Sequence, residues 1–216
     1  MCGRMTLTPR DFAEVAELLG LTLGVEAPPE VAASYKPRFN LPPTDPHLIV
    51  ETGKKLAVAR WGFGRDPKKP QINARAETIA KNGLFKRAFQ ESRCLIPADG
   101  FYEWTGGTGK RRPIWFHAQP GQLLLFAGIR DENGFCVITT PANDDVAPVH
   151  DRMPAILLGD AAERWLRTPD ASLLQPAPKK HLVVTPVSSR ANSVANDDEA
   201  CLASPEDDEP RQLRLV

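Results

Sequence analysis

The sequence predicts an α+β domain, built on a mostly antiparallel curved sheet or a partly closed β-barrel with a few short peripheral helices. Three observations carry that prediction. Short apolar or alternating runs recur from Met5 to Thr185, separated by Gly, Pro, Asn and Asp turn signals. Only a few stretches place apolar residues at helical spacing, and none of them is long. The chain carries 21 prolines in 216 residues, which fix φ and remove backbone donors too often for a helical bundle.

Taken in order, Met5-Thr6-Leu7-Thr8 reads as a short strand. Thr8 or Pro9 then opens a helix with Phe12, Val15, Ala16 and Leu19 on one face and Gly20 as its stop. Residues 24–37 read as a Pro-rich loop, and Phe39-Asn40-Leu41-Pro42-Pro43-Thr44 as a rigid turn. His47–Glu51 and Leu56–Trp61 form a hairpin about Thr52-Gly53-Lys54. Ile72–Glu77 leads into a short helix, and a second lies near Leu84–Phe89. Arg93–Pro97 and Phe101–Trp104 are strands joined at Ala98-Asp99-Gly100, and Thr105–Lys110 is a glycine-rich hairpin loop. Ile114–Ala118, Gln122–Ile129 and Phe135–Thr139 follow as strands, with turns at Pro120-Gly121 and Asn133-Gly134. Ala142–Asp145 opens a short helix, His150–Pro154 is a polar loop, and Ala155–Leu158 is a buried strand. Asp160 caps a helix to Leu166, and His181–Thr185 is the last strand. Residues 2–203 are expected to form a single domain, and 204–216 an acidic, disordered tail that includes Glu206-Asp207-Asp208-Glu209.

Composition narrows the function. A 42% hydrophobic and 25% charged chain is that of a soluble globular protein, and no apolar run reaches membrane-spanning length. With no signal-peptide pattern either, a cytoplasmic protein with reduced thiols is expected. Cys2, Cys94, Cys136 and Cys201 show no CxxC spacing, so no metal site is expected. The net charge is zero but unevenly spread. Residues 1–115 hold 18 Lys and Arg against 12 Asp and Glu, and 116–216 hold 9 against 15. The first half therefore allows a local basic face, and a mixed soluble surface accounts for the counts as well.

The most distinctive stretch is Met1-Cys2-Gly3-Arg4. Removal of a start methionine before a small residue leaves Cys2 with a free α-amine beside its thiol. Such a 1,2-aminothiol condenses with an aldehyde to an imine, and the sulfur then closes a thiazolidine. Against an amide, the thiol is a nucleophile with its own amine as base. The plain alternative is that Cys2 is an accident of the start site. Glu103 sits among large apolar residues in Phe101-Tyr102-Glu103-Trp104; alternation places it beside Phe101 and opposite Tyr102 and Trp104. A carboxylate in apolar company is held protonated to higher pH and suits proton transfer. On the outer face it would be an ordinary strand residue. His150, in His150-Asp151-Arg152-Met153-Pro154, is either a proton-transfer group oriented by a carboxylate or a surface histidine. Asn73 reads equally as an N-cap and as a side-chain donor to an oxyanion or sugar hydroxyl. Arg4 and Arg75 suit phosphate binding or a charged surface. Trp61 is either core or an exposed wedge.

Taken together in this order, the motifs are Met1-Cys2-Gly3-Arg4, Asn40-Leu41-Pro42-Pro43-Thr44, Trp61-Gly62-Phe63, Asn73-Ala74-Arg75-Ala76-Glu77, Cys94 to Trp104 and His150-Asp151-Arg152-Met153-Pro154. The set resembles the SOS-response-associated peptidase (SRAP) family of abasic-site processing proteins, over roughly residues 2 to 203. The resemblance implies that Met1 is lost, by the protein's own activity or an aminopeptidase, and that Cys2 forms a thiazolidine crosslink with the ring-opened abasic aldehyde in single-stranded DNA. It gives Asn73 the placing of the cysteine amine or the sugar, Glu103 the proton traffic at amine and imine, and His150 the sugar oxygen. Arg4 and Arg75 would grip phosphates, and Trp61 with Pro43, or its neighbour Pro42, would form a shelf for the bases. No cofactor is implied, and a monomer acting with the nucleoid DNA is expected. Two other readings use the same residues: an N-terminal-nucleophile peptidase or amidase acting in trans, and a non-catalytic single-strand binding module.

Overall fold

A computed structural model describes residues 2–25, 28–107 and 111–208. Strand β1 (Met5–Leu7) leads to helix α1 (Phe12–Leu23) and a short helix α2 (Pro29–Ser34). Strands β2 (Arg38–Leu41), β3 (Pro46–Glu51), β4 (Lys55–Arg60) and β5 (Asn73–Arg75) precede helix α3 (Lys86–Glu91). Strands β6 (Arg93–Ala98), β7 (Gly100–Thr105), β8 (Arg112–His117), β9 (Leu124–Arg130), β10 (Phe135–Pro141) and β11 (Arg152–Pro154) come next. Helix α4 (Ala161–Arg167) and strand β12 (Val183–Pro186) complete the regular elements, with short 3-10 turns around them.

Among the described residues the strands form two largely antiparallel sheets and no closed barrel. The first sheet runs β12-β8-β7-β1-β2 and the second β11-β10-β9-β6-β3-β4, with β5 beside β10 in parallel. Alternation on the strands explains the layering. Ile49, Ile96, Phe101, Phe116, Phe126 and Val137 point into the space between the sheets and form one core. On the far face of the second sheet, Val50, Leu95 and Ala127 meet Val15 and Leu19 of α1, Phe89 of α3 and Trp165 of α4. On the outer face of the first sheet, Tyr102 packs against Val187, Ala191 and Cys201 of the C-terminal segment.

Several expected elements differ. Helix α1 starts later and runs longer, because Asp11 accepts from Glu14 N–H at 3.0 Å and the stop is Gly24 at φ 62°, not Gly20. Burial of Leu19 and Leu23 outweighs the cost of about 1 kcal/mol for a glycine inside a helix. The loop at 24–37 contains α2, with Pro29 at its first position. Asn73 caps no helix, since 73–75 is a strand on β10, and α3 lies two residues beyond its expected start. Ala142–Asp145 forms hydrogen-bonded turns rather than a helix, while 152–154, expected as loop, is a strand. The expected strand at Ala155–Leu158 is reduced to a bridge between Ile156 and Phe126. Asp160 makes no side-chain cap, because its own backbone is already helical (φ −74°, ψ −12°). Of the expected acidic tail, 205–208 is a 3-10 turn with Asp208 accepting from Ser188 Oγ and from Ser189 N–H, and 209–216 lies outside the described residues. Part of the Thr105–Lys110 loop, 108–110, also lies outside them. Among the described residues no helix is long and apolar enough to cross a membrane.

Candidate active site

The chain enters between the two sheets at one end. Strand β1 pairs with both β2 and β7, and Tyr102 N–H donates to Arg4 O at 3.0 Å, so the residues before β1 run on beside β7. Cys2 is fully buried in the inter-sheet core. Its carbonyl accepts from Asn73 Nδ2 at 2.8 Å, which ties the second sheet's β5 to the chain's first residues. Asn73 Oδ1 is buried and has no hydrogen-bond partner among the described residues. Burial pushes the Cys2 thiol far up from its ordinary pKa, and the negative charge of nearby Glu103 adds to that.

Glu103 stands on β7 and is 4% exposed. Its neighbour Tyr102 points the other way, with its hydroxyl donating to Phe39 O at 2.6 Å, so strand alternation turns the carboxylate toward the cysteine side. Burial raises the pKa of Glu103; the charge of His150 acts against that rise. His150 follows the turns after β10. Its Nδ1 accepts from Arg152 N–H at 2.9 Å and lies 3.1 Å from Asp151 Oδ1. The strand that follows is anchored by Arg152, whose guanidinium holds Glu77 at 2.5 and 3.0 Å and Thr139 O at 2.6 Å.

Glu103 and His150 line one cleft of about 340 Å³ together with Gly3, Arg4, Trp104, Arg111 and Asn192. The cleft thus holds two groups able to move protons, two guanidinium groups and one aromatic ring, with Cys2 buried alongside. Among the described residues no cluster of His, Cys, Asp and Glu has the arrangement of a metal site.

The structure therefore brings Cys2, Asn73, Glu103, His150 and Arg4 together. Arg4 is less free than expected: it is largely buried, and Nη1 donates to Asn40 Oδ1 (2.6 Å) and Ala191 O (3.0 Å). Arg75 is exposed on β5. Trp61 is not a stacking surface. It is fully buried, its Nε1 donates to Ile72 O at 2.9 Å, and its ring stacks on Phe135 with centroids 6.4 Å apart. Apolar burial of a large ring and satisfaction of its only donor fix it in the core. Pro43 is half-buried at the corner where Thr44 N–H donates to Trp61 O at 2.8 Å. Trp104, Arg111 and Asn192 were not singled out from the sequence. Trp104 and Arg111 flank a hairpin loop in a basic stretch, which was the available signal, whereas Asn192 arrives from a distant segment with none.

Fold and cleft define an α+β protein with a buried N-proximal cysteine tied to an amide, beside a cleft that holds a carboxyl and an imidazole. The chain belongs to the SOS response associated peptidase (SRAP) family, whose pattern matches residues 1–194. It is 32% identical over 229 residues to the abasic site processing protein YoqW of Bacillus subtilis, covering 94% of this chain and all of that one. The abasic site processing protein HMCES of Gallus gallus is 32% identical over 238 residues, 84% of this chain and 70% of the relative. A solved phage-related protein from Bordetella bronchiseptica superposes with a TM-score of 0.65 at 28% identity, over 87% of this chain and 95% of that one. A protein from Bacteroides thetaiotaomicron gives 0.77 at 20% identity over 94% and 99%, a likeness of fold.

Proposed function

We propose that this chain processes abasic sites in single-stranded DNA by capturing the ring-opened sugar on Cys2. The observation that carries the reading is the Asn73 hydrogen bond to Cys2 O beside a buried Glu103, which fixes the first residues of the chain within a cleft lined by arginines. The names of the relatives, abasic site processing proteins, support the same substrate.

Hydrolysis of the Met1–Cys2 peptide bond, by these groups or by an aminopeptidase, frees the Cys2 amine. That amine adds to the C1′ aldehyde, and loss of one water gives the imine. The sulfur then adds to the carbon of the protonated imine, whose nitrogen keeps its proton, so aldehyde plus aminothiol yields thiazolidine plus water. Ring closure is intramolecular, which favours the thiazolidine over the open imine. A protonated Glu103 donates to the departing hydroxyl, and the carboxylate so formed takes the thiol proton. His150 gives a proton to the sugar ring oxygen during ring opening. Asn73 Oδ1 is an acceptor for the freed Cys2 amine.

An abasic site has no base edge to read, so recognition falls to phosphate charge and stacking. Arg4, Arg75 and Arg111 provide charge, and Trp104 takes the aromatic role that Trp61 cannot fill. The reading needs no metal or organic cofactor, and has 2–203 act as one unit, as a monomer in the cytoplasm with the DNA. Native protein and Cys2→Ser, each mixed with abasic single-stranded DNA and run on a denaturing gel, test it. The native adduct should survive heating, and the serine variant should give at most a labile imine. A heat-stable adduct with Cys2→Ser would end the thiazolidine reading.

A further inference from the structure

Residues 188–203 form a strap across the outer face of the first sheet, and side-chain-to-backbone bonds hold it there. Asp197 Oδ1 accepts from the backbone N–H of Phe39 at 2.7 Å and of Asn40 at 2.8 Å, while Oδ2 pairs with Arg38 Nε. Asn40 is fully buried, and its Nδ2 donates to Ser193 O at 2.9 Å and Asn196 O at 2.7 Å. Its other amide atom, Oδ1, accepts from Arg4 Nη1, and strap residue Ala191 supplies a second acceptor to the same nitrogen. One side chain thus joins the strap to Arg4, and each of its polar atoms is used in doing so.

Among the described residues, Nη1 is the one nitrogen of the Arg4 guanidinium held in this way. Its Nε is buried with no hydrogen-bond partner among the described residues, although the residue is nine-tenths buried and lines the cleft. The strap also fixes the ring beside it. Asn192 Oδ1 accepts from Trp104 Nε1 at 2.8 Å, and the Arg4 guanidinium lies 5.5 Å from the Trp104 ring centroid. Holding Nη1 fixes the guanidinium direction, so less rotamer freedom is lost when its remaining N–H groups meet an anion. The family match ends at residue 194, three residues before Asp197.

We propose that the 188–203 strap is a positioning element of the site, with Asp197 and Asn40 aiming Arg4 at a phosphate of the bound strand; this rests on the DNA reading above. Asp197 touches no substrate and acts through Asn40 and Arg4.

The test is the salt dependence of full-length protein binding to labelled, undamaged single-stranded DNA, followed by anisotropy. Loss of one phosphate contact lowers the slope of log K against log salt by about 0.7. Arg4→Gln should lose about that much. Asp197→Ala should lose the same although Arg4 is intact, and the double variant should lose no more than Arg4→Gln alone. Thermal melting checks that each variant folds. If Asp197→Ala does not, Asp197→Asn, which keeps one acceptor, carries the same comparison. A purely structural strap would lower the melting temperature and leave the slope native. That result, or additive losses in the double variant, overturns the proposal. Adduct formation by the native protein on abasic DNA separates the two levels. An adduct with an unchanged slope in the Asp197 variants removes the strap's role alone. No adduct and no Arg4-dependent slope removes the DNA reading with it.

Discussion

Replacing Glu103 by Gln should move two properties of Cys2 in opposite directions. The Cys2 thiol is held above its ordinary pKa first by burial and second by the negative charge of Glu103. The neutral, near-isosteric amide removes the second cause and leaves the first. The pH at which Cys2 half-ionises should therefore fall, and alkylation of Cys2 by a small reagent should quicken at a fixed mildly alkaline pH. Adduct formation needs a group that both gives and takes a proton, which an amide cannot do. Loss of a positioned general acid–base group costs about 10²–10⁴-fold, or about 2.7–5.4 kcal/mol of barrier. The pH profile should change too. Burial shifts Glu103 upward, so the native rate should show a limb above the ordinary carboxylate range, and that limb should vanish in the variant. The assay is adduct formation on labelled abasic DNA over a pH series, run in parallel with alkylation read by peptide mass at Cys2. If both rates fall together, Glu103 acts only by keeping the site folded. If neither changes, it has no part in the chemistry.

Acid stability should report His47. It is buried, its Nε2 donates to Pro97 O at 2.6 Å, and burial lowers its pKa from 6.5 to about 4, with Arg38 acting in the same direction. Between those values the unfolded chain binds the proton and the folded chain does not. Its contribution is thus complete above pH 6.5 and lost as pH falls toward 4, a total of about 3 kcal/mol. Urea melts of native protein and His47→Gln at several pH values should diverge in slope across that window, and parallel slopes would contradict the assignment. Trp61→Ala should cost about 3–5 kcal/mol as a core cavity, lowering the melting temperature by about 6–20 °C. Unchanged stability with lost DNA binding would instead restore Trp61 as a surface wedge. Asn73→Ala should cost only about 1 kcal/mol of stability and slow adduct formation more than tenfold, since a misplaced nucleophile can cost about 10²-fold; equal rates would show that the bond to Cys2 O does not place the amine.

What could be read from the sequence was what local pattern encodes. Alternation in Phe101-Tyr102-Glu103-Trp104 turned Glu103 inward, and the β3–β4 hairpin followed from the Thr52-Gly53-Lys54 turn, where Gly53 and Lys54 have φ of 82° and 61°. Asn73 was misplaced because a three-residue strand has no period of its own; its parallel pairing with Val137 is a non-local contact. Trp61 could be read as core or as a wedge because a Trp between Arg60 and Gly62 carries no sign of burial, and the Phe135 that covers it lies 74 positions later. The strap was illegible for a related reason. Asp197 and Asn40 hold it through backbone groups, and such bonds leave no apolar periodicity to read. Gly20 and Gly24 were equal as stops in composition, and only the αL conformation at Gly24 separates them.

The most direct measurement is the intact mass of the purified protein before and after mixing with single-stranded DNA bearing one abasic site, with undamaged DNA beside it. The account predicts a chain lacking Met1 and a stable one-to-one adduct, lighter by one water than its parts, on the abasic strand alone. A chain that keeps Met1 and forms no adduct would contradict it, because Cys2 would then have no free amine with which to begin.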